Sequence, residues 1–582
     1  MKARTLCSAL FVSFAIIAAS AQTADPAKTA QPAQKANPPA TQAAPKPARE
    51  TPADQKAFQD ATRILDPTQK IAALEKFKKD FPHSGMVDAA TMSIFSTMAQ
   101  KMPDQKERIL QLAGTIYHNA HGKKEKGQVA RTLADTLLTN DLLLSDARDY
   151  ARKSLDAMNQ AEFVKDQKAA FKKRSSGSKD ERKPPSDADL IKRFQESRAT
   201  RVATLGRIEF KLGNKTEAQK LLDESYAANP KQPAVAGALG ELAEQAGDNA
   251  KAMDYLVAAR LGGKIPASSM DALNSVYRKT HNGSTDGLEA MLDGEYHKRF
   301  PNPLQLEAYK PTEKRSDRLV LAEVFTGSGC PPCVGADLAF EAAMERYSRK
   351  DLLVVMYHQH IPQPDPMSNP DAQARSKYYA VGGVPTYMVD GERVDYYGDD
   401  RENTKLVWEH IQPPVEKELE VAAEAKLNVR AALTGNTVKV TAAVDGVKSE
   451  SKELKVHVLL LEKELHYSGE NGIRFHPMVV RAMGGKNDDG FSLAPGEAAS
   501  FEQSWDLDKV SAGLKAHLDD YEAKGHRGNS FKFMEKKYEI DRGNLAIAVF
   551  VQDAKTKHVL QSAYIDLNPN SHLPTDNVSG AK

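Results

Sequence analysis

Apolar residues recur every three or four positions from residue 55 to about 300, with few β-branched runs, and this spacing predicts a long series of amphipathic helices. From Arg318 the period changes. Residues 319–325 form a continuous apolar run of strand length, 327–329 a turn, and Cys330 opens a helix that continues through Ala343 and Tyr347. A second strand at 352–357 follows, then a Pro-rich loop at 358–370, a short helix at 371–380 and a third strand beginning at Gly383. A hairpin partner at 393–397 and a last helix at 403–411 complete the order β-α-β-α-β-β-α. Beyond Val421 apolar and polar residues alternate. Leu427, Val429, Ala431 and Leu433 share one face, as do Val438, Val440, Ala442 and Val444 after the Gly435-Asn436 turn. Further strands at 454–460, 545–551 and 559–567 predict a β-sandwich, interrupted by 469–490, around Arg474, His476 and Arg481, and by the charged stretch 511–541, to neither of which the pattern assigns chemistry.

Within the helical region the sequence repeats itself. Leu205-Gly206 returns as Leu239-Gly240, Gly213-Asn214 as Gly247-Asp248, Ala218 as Ala252 and Leu222 as Leu256, each 34 positions further on. The Gly-Asn and Gly-Asp pairs break one helix from the next, and the small Ala after them lets the two approach. Residues 205–260 resemble tetratricopeptide repeats, and 71–81 and 145–155 look like further second helices of the same kind. The resemblance implies a solenoid over 55–300 that binds a peptide or partner protein on a concave face; a plain helical packing module is the alternative. The charged stretch 165–183 reads as a solvated helix face and loop.

At the start of the chain, Lys2 and Arg4 precede an apolar run, 6–19, that closes with Ala19-Ser20-Ala21. This is the layout of a signal peptide over 1–21, shorter than the ~20 apolar residues that span a bilayer, although an uncleaved anchor is the competing reading. Residues 22–54, rich in Ala, Pro, Lys, Gln and Thr, read as a disordered linker, and 569–582 as a disordered tail. The expectation is export to a bacterial periplasm or cell envelope, without stable membrane insertion after cleavage. With 80 basic and 78 acidic residues among 582, no charge excess points to nucleic acid or anionic lipid.

Cleavage would remove Cys7, leaving Cys330 and Cys333 as the only cysteines. A disulfide closing so small a loop constrains the unfolded chain little, so a redox role explains the pair better than a structural one. At a helix start the free backbone N–H groups and the positive end of the dipole favour an anion, which makes Cys330, exposed at that tip, the nucleophile. Cys333, one turn deeper, resolves the mixed disulfide. Pro331 and Pro332 lack N–H groups, which tempers the acidity of Cys330 and favours a reductase or isomerase over a strong oxidant.

The strand, Cys330-Pro331-Pro332-Cys333 and Val384-Pro385-Thr386 resemble the thioredoxin family from Arg318 to about Val415, within a domain placed at 311–420. That resemblance implies a cis-proline loop in which Val384 and Pro385 bind the substrate chain. Two positions depart from the family pattern: Gly329 stands where an aromatic residue is usual, and Val324 where a buried acid is usual. Glu323 is the nearest candidate proton acceptor, although its side chain projects to the opposite sheet face unless 327–329 shift the register. His358 and His360 could join the thiols in holding copper or zinc, but polar loop contacts are the favoured reading; neither a metal nor any cofactor is expected. The whole therefore reads as a multidomain chain: an all-α tetratricopeptide-like solenoid, an α/β thioredoxin-like domain and an all-β immunoglobulin-like sandwich at 421–568. Its implied activity is thiol-disulfide exchange on client proteins with disulfides or thiols, recharged by an electron-donor protein. The alternative is an envelope scaffold whose cysteine pair senses oxidation.

Overall fold

The computed structural model describes residues 52–175, 184–396, 398–485, 489–527, 530–567 and 575–576. The expected signal peptide at 1–21, the expected linker of 22–54 up to residue 51, residues 176–183 of the charged stretch 165–183 and most of the expected tail lie outside the described residues.

Thirteen helices, from α1 (Ala53–Arg63) to α13 (Leu288–Arg299), make the amino-terminal part of the described residues a helical repeat region. The repeated pairs are α8 (Asp187–Lys211) with α9 (Lys215–Ala228), and α10 (Pro233–Gln245) with α11 (Asn249–Gly262). Gly213 and Gly247 end the first helix of each pair at φ of 82° and 81°, a left-handed conformation that a Cβ would oppose. The close approach of the paired helices is made by a second glycine. A Cβ on Gly240 would stand 2.5 Å from Leu256 Cγ, and one on Gly206 3.0 Å from Leu222 Cγ. Gly240→Ala should therefore overpack the pair and cost about 1–3 kcal/mol in urea unfolding. Gly114 on α4 (Lys106–Asn119) has nothing within 4 Å of its Cβ position. There the same substitution should stabilise by about 0.5–1 kcal/mol, and equal shifts at the two sites would refute the packing argument.

The strand-rich part begins with β1 (Val320–Thr326), β2 (Leu352–His358), β3 (Thr386–Val389) and β4 (Glu392–Arg393). It continues with β5 (Lys426–Thr434), β6 (Thr437–Asp445), β7 (Leu454–His466), β8 (Phe475–Met483) and β9 (Phe491–Leu493). The last four are β10 (Ala499–Asp506), β11 (Leu545–Asp553), β12 (Val559–Asp566) and β13 (Thr575–Asp576). One mixed sheet has the order β12-β11-β7-β8-β2-β1-β3-β4, with β9 paired to β7. A second sheet, β10-β6-β5-β13, packs on the first through Val429, Val440, Val458 and Val549. β1 and β2 are parallel, from Val320 opposite Leu352 to Thr326 opposite His358, while β3 is antiparallel to β1 and β4 to β3.

β5 and β6 show the two-residue burial alternation read from the sequence. The expected division near residue 421 is bridged instead. β8 lies inside the glycine-rich stretch 469–490 and pairs with β2 at Met356 and Val479, so strands from both sides of that boundary form one sheet. Its sequence conceals it, because His476 and Arg481 are buried polar residues and Pro477 interrupts the apolar pattern. Other departures are smaller. The hairpin partner shrinks to the two residues of β4, and the last helix of that region, α16 (Thr404–Leu419), runs on through Pro413 and Pro414. Part of the charged stretch 511–541 folds as α17 (Leu507–Lys524), burying Leu507, Leu514 and Leu518. The expected tail contributes Thr575 and Asp576 to a strand beside β5. No helix among the described residues is long and apolar enough to cross a membrane.

Candidate functional site

Cys330 and Cys333 form a disulfide, with Sγ atoms 2.08 Å apart, in the connection from β1 to α14 (Cys333–Arg346). The helix starts at Cys333 rather than at Cys330. Residues 330–333 make a turn, with the Cys333 amide donating to the Cys330 carbonyl at 3.2 Å. The amide donors of the first helical turn are not free for a thiolate. Val334 donates to Pro331 O at 3.3 Å and Gly335 to Asp399 O at 2.8 Å, so the segment around Asp399 caps the helix in place of an anion.

Burial of the pair also departs from the sequence reading. Cys330 is 1% exposed and Cys333 fully buried, while Pro331 and Pro332 face solvent. Three segments pack around the cysteine turn, one of them against the sulfur itself. The Val384 carbonyl lies 3.6 Å from Cys330 Sγ, where it would accept from the thiol once the pair is reduced, and the Val384–Pro385 bond beside it is cis. Gln363 occupies the space over Gly329, and a Cβ there would stand 2.8 Å from the Gln363 Cβ. The β7–β8 loop supplies Asn471, whose Nδ2 donates to Cys330 O at 3.2 Å and whose backbone amide donates to Ser328 O at 3.0 Å.

Glu323, the sequence candidate for proton acceptor, is turned away from the cysteines. Val320, Ala322 and Val324 of β1 face α14, whereas Leu321 and Phe325 face the opposite side with α15 (Pro370–Tyr378), and the β1–β2 register runs without a shift. On that far side Glu323 accepts from Arg375 Nε at 2.7 Å, Arg375 Nη2 at 2.9 Å, Tyr357 at 2.9 Å and Tyr379 at 2.6 Å. The carboxyl on the cysteine side is Asp337, one helical turn beyond Cys333, accepting from Thr326 Oγ1 at 2.7 Å. Burial pushes its pKa up to about 7, against the opposing pull of the Thr326 hydroxyl and His358. Sequence reading passed over it because an acid in a helix normally marks the solvent face.

His358 and His360 point to different partners. His358 Nδ1 lies 2.9 Å from Asp365 Oδ2, which also accepts from the Ser328 amide at 2.7 Å. Burial alone would raise the Asp365 carboxyl, but His358 and the Ser328 and Met367 amides hold it below the usual range. His360 Nδ1 accepts from the Asp365 amide, and its Nε2 faces His517 Nε2 of α17 at 3.3 Å. Burial holds the His360 pKa down at about 3, so it is neutral. Among the described residues no three of His, Cys, Asp or Glu are grouped to hold a metal ion.

No family model and no curated protein matches this chain. Among solved structures it is similar to HBP35 of Porphyromonas gingivalis, at 14% identity and a TM-score of 0.31, over 44% of this chain and 79% of that one. It is also similar to the APC/C heterotetramer Cut9–Hcn1, at 19% identity and a TM-score of 0.19, over 41% of this chain and 45% of that one. Likenesses this slight fix no fold. The cysteine pair at disulfide distance is compatible with redox activity.

Proposed function

We propose that this protein is an exported thiol-disulfide oxidoreductase with a thioredoxin-like redox unit, working on protein disulfides as a reductase or isomerase. The observation that carries the reading is the disulfide between β1 and α14, with Val384 O against Cys330 and a buried carboxyl, Asp337, one turn past Cys333. The order β2-β1-β3-β4, with the first pair parallel and the others antiparallel, is consistent with that fold. In this scheme a thiolate at Cys330 attacks a client disulfide and forms a mixed disulfide. Cys333 then attacks the Cys330 sulfur, releasing the client as a thiol, and its proton passes to Asp337. The two-sheet unit that follows is assigned as immunoglobulin-like and the helical repeats as the client or donor docking region. Reduction of insulin disulfides by the full chain, with and without Cys330, tests the activity.

Asp337 makes a separable prediction. Its carboxylate is disfavoured in place, so this group lowers stability as pH rises from its usual 3.8 to about 7, and its effect is level above that. Asp337→Asn should flatten that decline, slow the Cys333 attack at neutral pH and remove an inflection near pH 7 from the rate. Glu323→Gln should leave the inflection in place. An unaltered pH profile in Asp337→Asn would take this carboxyl out of the mechanism.

A second reading, a scaffold that senses oxidation through the pair, is favoured by one observation, the burial of Cys330. Lack of insulin reduction by the wild-type chain would favour it.

A further inference from the structure

The β7–β8 loop touches the cysteine turn on one side and the helical repeats on the other. Toward the cysteines, Asn471 makes the bonds given above, and Gly469 approaches so closely that a Cβ would stand 2.7 Å from Ser328 O. Toward the repeats, Lys264, just past α11, pairs with Glu470 at 3.0 Å, and Arg260 donates to Ser468 O at 3.3 Å. At the foot of the loop Arg474, fully buried, holds Asp293 at 2.6 Å and Glu289 at 2.7 Å on α13.

These two sets of contacts differ in kind. The foot is a fully buried arginine whose partners Asp293 and Glu289 reach toward solvent, a charge that is costly to leave unpaired. The tip is held by the neutral bonds of Asn471 and by the Lys264–Glu470 pair, whose lysine is mostly in water, interactions that open readily, while Arg260, a charged donor, holds Ser468 beside the foot. Gly469 and Gly472 flank the tip, and Gly472 has φ of 82°. With the tip bonded to the turn in this way Cys330 is 1% exposed, and a thiolate attacking its sulfur must approach in line with the S–S bond, so the turn has to be uncovered first.

We propose that residues 469–472 are a gate at the disulfide turn whose opening is set by the helical repeats, so that a protein docked on the repeats governs electron exchange at Cys330. The inference rests on the pair being redox-active, as proposed above. It assigns to the repeats a control of access, in addition to recruitment.

Reduction by dithiothreitol reads that access. One reagent thiolate attacks Cys330 Sγ, the Sγ–Sγ bond breaks, and Cys333 leaves as a thiolate that takes up a proton. The second reagent thiolate then attacks the mixed disulfide, freeing Cys330 and leaving the reagent as its cyclic disulfide. In the full chain the wild-type pair should be reduced at least tenfold more slowly than in the urea-unfolded chain, read by alkylation of the freed thiols. Asn471→Ala should accelerate the step by about fivefold to tenfold and Lys264→Ala by about twofold to fivefold, with amide protection in β7 and β8 retained. Three results overturn the proposal: a wild type reduced as fast as the unfolded chain, acceleration in Asn471→Ala but not in Lys264→Ala, or acceleration accompanied by loss of protection throughout β7 and β8. Failure of insulin turnover would remove the oxidoreductase reading and leave this rate unaffected, because dithiothreitol reports only on access to the sulfur.

Discussion

Replacing Cys330 with Ser should reduce insulin turnover to the uncatalysed background, whereas Cys333→Ser should stall after the first exchange and accumulate mixed disulfides. The asymmetry follows from position. Cys330 lies beside the Val384 carbonyl in the turn that precedes the helix, so under the proposed mechanism it is the sulfur a partner meets first. Cys333 is fully buried at the first position of α14, reachable only by its neighbour across the turn. A serine oxygen at 330 is a poor nucleophile at neutral pH and cannot take a disulfide bond, so the first step is lost outright. A serine at 333 permits that step and removes the resolving attack. Turnover persisting in Cys330→Ser would exclude the enzyme proposal. Trapped adducts in Cys333→Ser, identified by mass spectrometry, would name the clients and the electron donor.

The largest loss of stability is expected from Arg375→Met, at about 3–5 kcal/mol, because it strands the Glu323 carboxylate in the core. Arg375 bonds both oxygens of Glu323 and Gln552 Oε1 at 2.7 Å, and its guanidinium packs against the rings of Tyr378, Tyr379 and Phe550. The pair has no route to water. Adding Glu323→Gln to Arg375→Met should recover part of the loss, since a neutral amide costs less to bury than an unpaired charge. Urea midpoints of the two singles and the double decide this. A single-variant loss below about 1 kcal/mol would show that the pair is not buried as described. Because the network lies on the sheet face away from the cysteines, the pH profile of reduction should be unchanged in Glu323→Gln, the opposite of what is expected for Asp337→Asn.

Much of this architecture was legible along the chain where one local signal dominated. The glycine pairs 34 residues apart marked the turns between helices, because few other residues tolerate their backbone conformation. The alternation in 427–444 gave the hairpin, because one face of each strand is solvated. β8 and α17 were missed for the converse reason: buried Arg481 and His476 hide the apolar pattern of a strand, and the stretch 511–541, with few apolar residues among its charges, was read only as an interruption of the sandwich. Asp337 was missed on the same ground, since spacing alone does not show that a helical acid faces inward.

By itself the sequence determined the cysteine pair, its strand-to-helix setting and the helical repeat. Each depends on neighbours within a few residues or on a fixed period. Only the tertiary structure decided which carboxyl shares a side with the cysteines, how far the sheet extends, and that the sulfur is covered. The last two depend on segments more than a hundred residues apart, such as Asn471 bonded to the Cys330 carbonyl and Lys264 beside Glu470, and no local pattern encodes which buried polar group will meet which backbone carbonyl.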